Sequence, residues 1–371
     1  MMDNVMREAK KLASIPVDVA LEYEDRKDIM MEDVNHHLTS HPDIGVLLGQ
    51  NPLAVMYDNH RNHAMFMVNV FKLNAFELLA KTLVWVYRSY HARGFSYDYF
   101  PLELNAWIQA AKKHLTPSAA EAVGKIYQWM LDRHKDMVVL SQIPADPFAA
   151  LNPVFEDKRR LFLAALLRGD SRECLRQGSE SATSKKSVED FYLQVVQPSL
   201  YAVGTLWETG DISVAQEYLA SALVARVMAA VVSPLLELIT PPKGRAVVTA
   251  APNEHHELGA WMVADFFRMD GWDVHYLGSN TPEADLLKFL SDVKPFLVCI
   301  SVAVSFNLEK AQQLIAAIKA DPALKDIRVL IGGYFFQSVP DLWKITGADG
   351  WAIDAAAAAK TARDWRTKDQ Q

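Results

Sequence analysis

Apolar residues recur along this chain with two different periods, and the change comes near residue 245. Before it they return every three or four positions, the spacing of helices with one buried face. The first 50 residues are polar, with one helix expected over 30–38 and stopped before Pro42. The stretch 53–93 predicts two apolar helices; the second is apolar nearly all round, from Phe76 through Leu83 to Val86, and hence buried. Helices over 102–114 and 118–140 follow, the latter with Pro117 at its start and Thr116 as a candidate cap. Residues 1–145 thus read as an all-helical domain, ended by Ala145-Asp146-Pro147 and Asn152-Pro153. Four more helices, over 154–168, 170–182, 187–208 and 213–238, predict a four-helix bundle spanning 154–239. Pro198 should kink the third of these, and Ser213 with Gln216 forms a capping box for the fourth.

After the linker Thr240-Pro241-Pro242-Lys243-Gly244 the apolar positions fall in short continuous runs. Strands are expected at 246–251, 273–277, 296–301, 328–332 and 350–352, each followed by a helix: 257–269, 282–292, 308–319, 337–344 and 354–366. Such runs, alternating with helices, predict a doubly wound parallel sheet over 244–366. The chain is therefore multidomain, an all-α region leading into an α/β region, as a length of 371 residues requires.

Composition narrows the picture. The net charge is −7 and no Lys/Arg cluster marks a nucleic-acid footprint, so direct DNA binding is not expected. Cys174 and Cys299 are far apart and have no metal spacing, which fits a reducing cytoplasm. The amino terminus does not read as a signal peptide, and no uninterrupted apolar run approaches ~18 residues, so neither a membrane span nor a membrane partner is expected. His36, His37 and His41 lack a completing carboxylate or Cys pattern and read as a solvated helix face.

The candidate chemistry sits at strand ends. Glu254-His255-His256-Glu257-Leu258-Gly259 falls between the first strand and its helix, at the edge where open α/β sheets bind ligands. An imidazole there can reach a metal, with Glu254 orienting it. Ser301-Val302-Ala303-Val304-Ser305 ends the third strand and Gly332-Gly333 the fourth, leaving room along that edge for something long. The hexapeptide alone is a weak signal; the spaced trio is specific.

This trio resembles the cobalamin-binding fold family, with its Asp-x-His-x-x-Gly, Ser-x-Leu and Gly-Gly motifs. Here Glu254 replaces Asp and Ala303 stands where Leu is usual; the Glu form resembles the B12-dependent photoreceptors. Gly347 to Asp354 resembles the family's last strand and turn. The likeness covers roughly 154–366 and implies a four-helix cobalamin cap followed by a Rossmann-like cobalamin domain. It implies His256 as cobalt ligand with the cofactor's own base off, His255 beside it pointing elsewhere, and Gly259, Ser301, Val302, Ser305, Gly332, Gly333 and Asp354 around the cofactor. In the bundle, Trp207 and Glu217 resemble the CarH-type cap, Trp followed after nine residues by Glu-His, with Tyr218 in place of His. That implies Trp207 over the upper face and Glu217 on an adenosyl group. Some photoreceptors of this type follow the Trp with a His that binds cobalt after photolysis; here Glu208 follows, which puts that step in doubt.

The resemblance thus implies a non-enzymatic light sensor loaded with adenosylcobalamin, acting through homo-oligomer assembly or a separate effector protein. The alternative is a corrinoid methyl carrier of a methyltransferase system. A helical domain ahead of this pair resembles the photocobilins, which add biliverdin. His60, His63 and His91 could then bond the bilin and Trp85, Tyr87 and Tyr97 line it, whereas composition alone supports a plain helical core at least equally.

Overall fold

A computed structural model describes residues 1–143, 151–236 and 242–368. The chain divides into two compact units, Met1–Ala145 with Glu208–Asp211, and Asp146–Trp207 with Ile212–Gln371. The first is all helical. Its longest helices are Val17–Thr39 and Leu53–Leu73, followed by Phe76–Ala92, Tyr99–His114 and Pro117–Asp132. The first of these runs much further than the short helix expected, because Val19, Ala20, Tyr23, Met30, Val34 and Leu38 form one buried stripe beneath an otherwise polar surface. The single helix expected over 118–140 is broken at Arg133, between Pro117–Asp132 and His134–Ser141. Thr116 does not cap the former with its side chain; its hydroxyl donates to Glu22 Oε2 at 2.8 Å.

The second unit begins with the helices Glu156–Arg168 and Ser171–Ser181 and ends its bundle with Val214–Leu236. The third bundle element differs from expectation. It runs Lys185–Phe191, a π turn Tyr192–Val196, then Gln197–Glu208. Pro198 has no N–H for the carbonyl of Gln194. Arg159, buried at 3% exposure, donates to that oxygen instead at 3.2 Å. The Ser213–Gln216 box forms as expected, Ser213 N donating to Gln216 Oε1 at 2.8 Å and Gln216 N to Ser213 Oγ at 3.3 Å. Among the described residues, Val214–Ser233 is long and apolar enough to cross a membrane. Its Leu223, Val224, Val227, Met228, Val231 and Val232 are core residues of the bundle. The boundary residues Ala145-Asp146-Pro147 and the linker residues Thr240 and Pro241 lie outside the described residues.

Five parallel strands follow: β1 Arg245–Ala250, β2 Asp273–Tyr276, β3 Leu297–Ser301, β4 Arg328–Gly332 and β5 Gly350–Ala352. Their order is β2-β1-β3-β4-β5, so the sheet is a doubly wound, Rossmann-like layer. Both faces of β1 and β3 are covered, which is why their sequences are continuous apolar runs. The helix expected over 337–344 is instead a short helix, Tyr334–Ser338, and a 3-10 stretch, Pro340–Ile345. One apolar core joins the bundle to the sheet, from Phe162, Phe191 and Met228 to Val248, Phe266 and Trp272. Tyr192 crosses it with a polar bond, its hydroxyl donating to Asp265 Oδ2 at 3.0 Å.

Candidate functional site

The strand order fixes where a ligand can lie. β1 is followed to one side and β3 to the other, so the loops leaving these neighbours diverge and open a crevice at the carboxyl edge. Ala250, Ser301, Gly332 and Ala352 stand in one row across that edge. Gly332 is small for a reason of packing: a Cβ there would meet the Ala352 carbonyl at 2.9 Å. Gly333 has φ +108°, and a Cβ would sit 2.2 Å from the Val302 carbonyl oxygen. Gly259 differs, since nothing lies within 4 Å of a Cβ built there.

The loop after β1 folds back on itself so that Glu254 is fully buried, while His255 and His256 are exposed. The Glu254 carboxylate gathers five donors. Oε1 accepts from His256 N at 3.1 Å and pairs with His256 Nδ1 at 2.6 Å. Oε2 accepts from Ala303 N, Val304 N and Asn307 Nδ2 at 2.9, 3.1 and 2.9 Å. Burial alone would push this carboxyl up, but the bonds from His256, Asn307 and the backbone outweigh it and hold the group at about 2. Glu254 is therefore an anion that ties the β1 loop to the β3 loop across the switch point. Its bond fixes Nδ1 of His256 as the protonated nitrogen and leaves Nε2, on an exposed side chain, as the nitrogen able to ligate. The imidazole is lifted above its ordinary range, first by the bond to Glu254, with the charge of Glu217 on the bundle adding to it. Glu217 is half-buried and accepts from Ser221 Oγ at 3.0 Å; Tyr218 beside it is 68% exposed.

Asn307 is absent from the sequence-based set. It precedes the helix Leu308–Ala320 and reads as a cap, yet its side chain makes no capping bond and serves Glu254 instead. The Ser-x-Leu position replaced by Ala303 contributes a backbone N–H, which a change of side chain leaves intact. Val302 is buried, with its N–H on the Gly332 carbonyl at 2.9 Å, and Ser305 opens a 3-10 turn ending at Asn307. Asp354 is used as a helix cap, accepting from Ala357 N at 2.7 Å. Trp207 is half-buried near the end of Gln197–Glu208. Glu208, grouped with the first unit, pairs there with Arg88 at 2.7 Å.

Within the first unit five of the six residues singled out for a bilin engage protein partners. His60 is fully buried, with Nδ1 2.5 Å from Asn35 Oδ1 and Nε2 2.7 Å from the Tyr99 hydroxyl. His63 Nε2 lies 3.1 Å from the Tyr127 hydroxyl. Tyr87 stacks on Phe100 at 3.8 Å, and His91 stacks on Tyr97 at 4.0 Å. Trp85 is 38% exposed. Among the described residues no group of three or more His, Cys, Asp or Glu could hold a metal ion, so His36, His37 and His41 form no such centre.

An outward imidazole at the switch point of a parallel sheet, oriented by a buried anion, suits a corrinoid-binding module. The residues fit the group: one oriented nitrogen for the cobalt, and open space at Gly259. Comparison with known proteins agrees. Residues 244–360 match the B12 binding domain, and residues 159–231 match a second B12 binding domain that precedes it. The HTH-type transcriptional repressor CarH of Myxococcus xanthus is 29% identical over 38% of this chain and 46% of its own length. CarA of the same organism is 32% identical over 33% of this chain and 41% of its own. Dimethylamine corrinoid protein 1 of Methanosarcina acetivorans is 24% identical over 53% of this chain and 94% of its own. The solved monomethylamine corrinoid protein of Methanosarcina barkeri shares the fold, at 18% identity and a TM-score of 0.50, over 57% of this chain and 99% of its own. The chain carries two B12 binding domains, and it spans less than half the length of the two repressors it matches.

One expectation falls here. The charge argument against direct DNA binding is overturned by CarH and CarA, which are HTH-type transcriptional repressors. A net charge of −7 is a sum over the whole chain and carries no information about a local basic face. Both B12-binding spans lie outside residues 1–145, and nothing in them bears on biliverdin.

Proposed function

We propose that this protein is a light sensor that holds adenosylcobalamin with its base displaced and His256 Nε2 as the lower ligand. The observation that supports the reading is the His256 imidazole oriented on the sheet together with Trp207 and Glu217 on the bundle. A carboxylate on the bundle, ten residues after Trp207, bears electrostatically on the ligating imidazole of the sheet. An acid and an indole on the bundle, Glu217 and Trp207, suit an upper group with hydroxyls and a flat base; a methyl group offers neither a bond. Glu254 holds the His256 proton on Nδ1, and the β3 loop holds Glu254. When bound, the cofactor supplies a cobalt–carbon bond that light breaks. Biliverdin is left out of this reading, because His60, His63, Tyr87, His91 and Tyr97 are already engaged by protein partners.

The second reading, a methyl carrier, is favoured by the corrinoid protein likeness, which spans 94% of that relative. Green light separates the two. The protein is loaded with adenosylcobalamin in the dark and its absorption followed under illumination. Loss of the adenosyl spectrum at a rate well above that of the free cofactor's thermal decay is expected. Persistence of the adenosyl form, together with transfer of a methyl group from bound methylcobalamin to a methyltransferase, would replace the sensor by the carrier.

A further inference from the structure

The loop that carries His256 is held from both neighbouring strands. From β3 the hold is on the Glu254 carboxylate, through Ala303 N, Val304 N and Asn307 Nδ2. From β2 it comes through Asn280, in the loop between that strand and the helix Glu283–Val293. Asn280 N donates to the Glu254 carbonyl at 3.1 Å, and Asn280 Oδ1 accepts from Asn253 N at 2.9 Å. One residue thus clasps the chain at two consecutive positions, once with its backbone and once with its side chain. A second tether from β2 reaches the far side of the imidazole: the Tyr276 hydroxyl donates to the Glu257 carbonyl at 3.2 Å.

Both asparagines are left-handed, Asn253 at φ +65° and Asn280 at φ +52°. Glycine would adopt that conformation with less strain, so conformation alone does not call for an amide at either place. At 280 the amide has a second task, since its oxygen is the acceptor for Asn253 N. Strain of this kind is kept where the surroundings impose it, and here it adjoins the oriented imidazole, three residues beyond Asn253. The two holds act on different parts of Glu254. The β3 loop fixes its side chain, and Asn280 fixes its main chain. A carboxylate held at its tip alone leaves the backbone free to pivot, and the imidazole pivots with it; held at both ends, it gives the ring one place to stand.

We propose that Asn280 is a positioning residue for His256: by clasping the main chain at Asn253 and Glu254, it sets where the imidazole presents Nε2. The inference rests on the reading of His256 as the lower ligand and goes beyond it, because that reading gives the loop after β2 no part.

Asn280→Gly accepts the left-handed backbone and removes the Oδ1 acceptor, whereas Asn280→Asp keeps an acceptor oxygen there. In the cofactor-free protein, Asn280→Gly should speed solvent exchange at the amides of Asn253 and His256. Those of Val247 and Val248, inside β1, should not change, which shows that the fold is intact. Binding is then measured with adenosylcobalamin and with adenosylcobinamide, which lacks the nucleotide tail. A residue that acts through His256 weakens both alike; one that lines a slot for the tail weakens the first alone. Both dissociation constants should rise about threefold, the lower part of the worth of one net hydrogen bond, because both asparagines are exposed to competing water. Asn280→Asp should recover most of the loss. In a His256→Ala background Asn280→Gly should change neither constant. Suppose the parent shows the histidine-ligated spectrum and loses it in His256→Ala. The positioning role is then overturned, and the ligand reading stands, if Asn280→Gly leaves both constants unchanged, weakens cobalamin alone, or weakens both equally without His256. If the parent shows no such spectrum, or His256→Ala keeps it, the ligand reading falls and the inference falls with it.

Discussion

Glu254 and Glu103 are both withdrawn from water, at 0% and 6% exposure, and both stand near an imidazole. At the sheet edge the carboxylate receives five donors and is held at about 2. In the first unit Glu103 receives one, from Trp107 Nε1 at 3.3 Å, with His60 Nε2 at 4.0 Å. Burial there wins and pushes the carboxyl up to about 7. Burial sets the cost of a charge, and the count of donors decides whether the charge survives. The edge of a sheet supplies donors freely, since two loops leave it with unused N–H groups. The inside of a helical bundle supplies few, because each helix has already used its own. The charged pair is thus the one equipped to orient a metal ligand, and the neutral pair is a core feature.

The largest expected effect is at the charged pair. His256→Ala removes the imidazole that Glu254 orients at the switch point, and cobalamin affinity should fall by more than roughly 100-fold, beyond the loss typical of an outer partner. The base-off, histidine-ligated spectrum should vanish with it. Titration with adenosylcobalamin followed by absorption reads both, and an unchanged spectrum at unchanged affinity would remove His256 from the site.

The neutral pair is tested by pH. Folded Glu103 binds its proton more tightly than the unfolded chain does, 7 against 4.5, so its contribution is present at acid pH and lost as pH rises through about 7. His60 and His63 are depressed by burial to about 4 and about 3, so theirs is present above 6.5 and lost as pH falls. The groups facing Glu103 are Trp107 and Tyr99 on its own helix, His60 and His63, and Tyr23, Tyr87, Tyr90 and Tyr127 from the helices around it. Glu103→Gln should match the parent near pH 4.5 and exceed it at pH 8.5 by about 3 kcal/mol. Hydrogen exchange of the amides in Tyr99–His114 reports this, and a difference independent of pH would show that Glu103 does not titrate in that window.

The two regions also differ in how much of them the sequence reveals. The strands were legible because a doubly covered parallel strand is an unbroken apolar run bounded by small residues, and β4 and β5 fall on the expected positions. His256 and Glu254 were legible as neighbours in a strand-to-helix loop. Asn307 was not, because its partner lies 53 residues away and an Asn before a helix ordinarily signals a cap. In the bundle, the π turn was read as a proline kink, since the relief of Gln194 by Arg159 depends on packing between distant helices. The interruption at Arg133 likewise has no Gly or Pro to mark it. In the first unit, the resemblance to the photocobilins suggested ligand-binding histidines; that His60 and His63 bond Tyr99 and Tyr127 is a matter of helix pairing, which periodicity does not encode.

The smallest effect is expected at Asn307. Asn307→Ala takes one donor of five from Glu254 and leaves four. The carboxyl should rise from about 2 yet stay well below neutrality, so its charge at pH 7 is unchanged. What is lost is the tether between the two loops, worth about 1–3 kcal/mol for a hydrogen bond to a charged group, of which only the part that differs between free and loaded protein appears in binding. Cobalamin affinity at pH 7 should therefore drop by no more than about fivefold, about 1 kcal/mol. The acid limb should respond more. As pH falls, the histidine-ligated spectrum should disappear at a higher pH in the variant than in the parent, because Glu254 now takes up its proton sooner. Asn307→Ser, which keeps a donor on a shorter arm, should recover part of that shift. A variant that keeps the parent's acid limb would mean that the backbone donors of Ala303 and Val304 hold the anion by themselves.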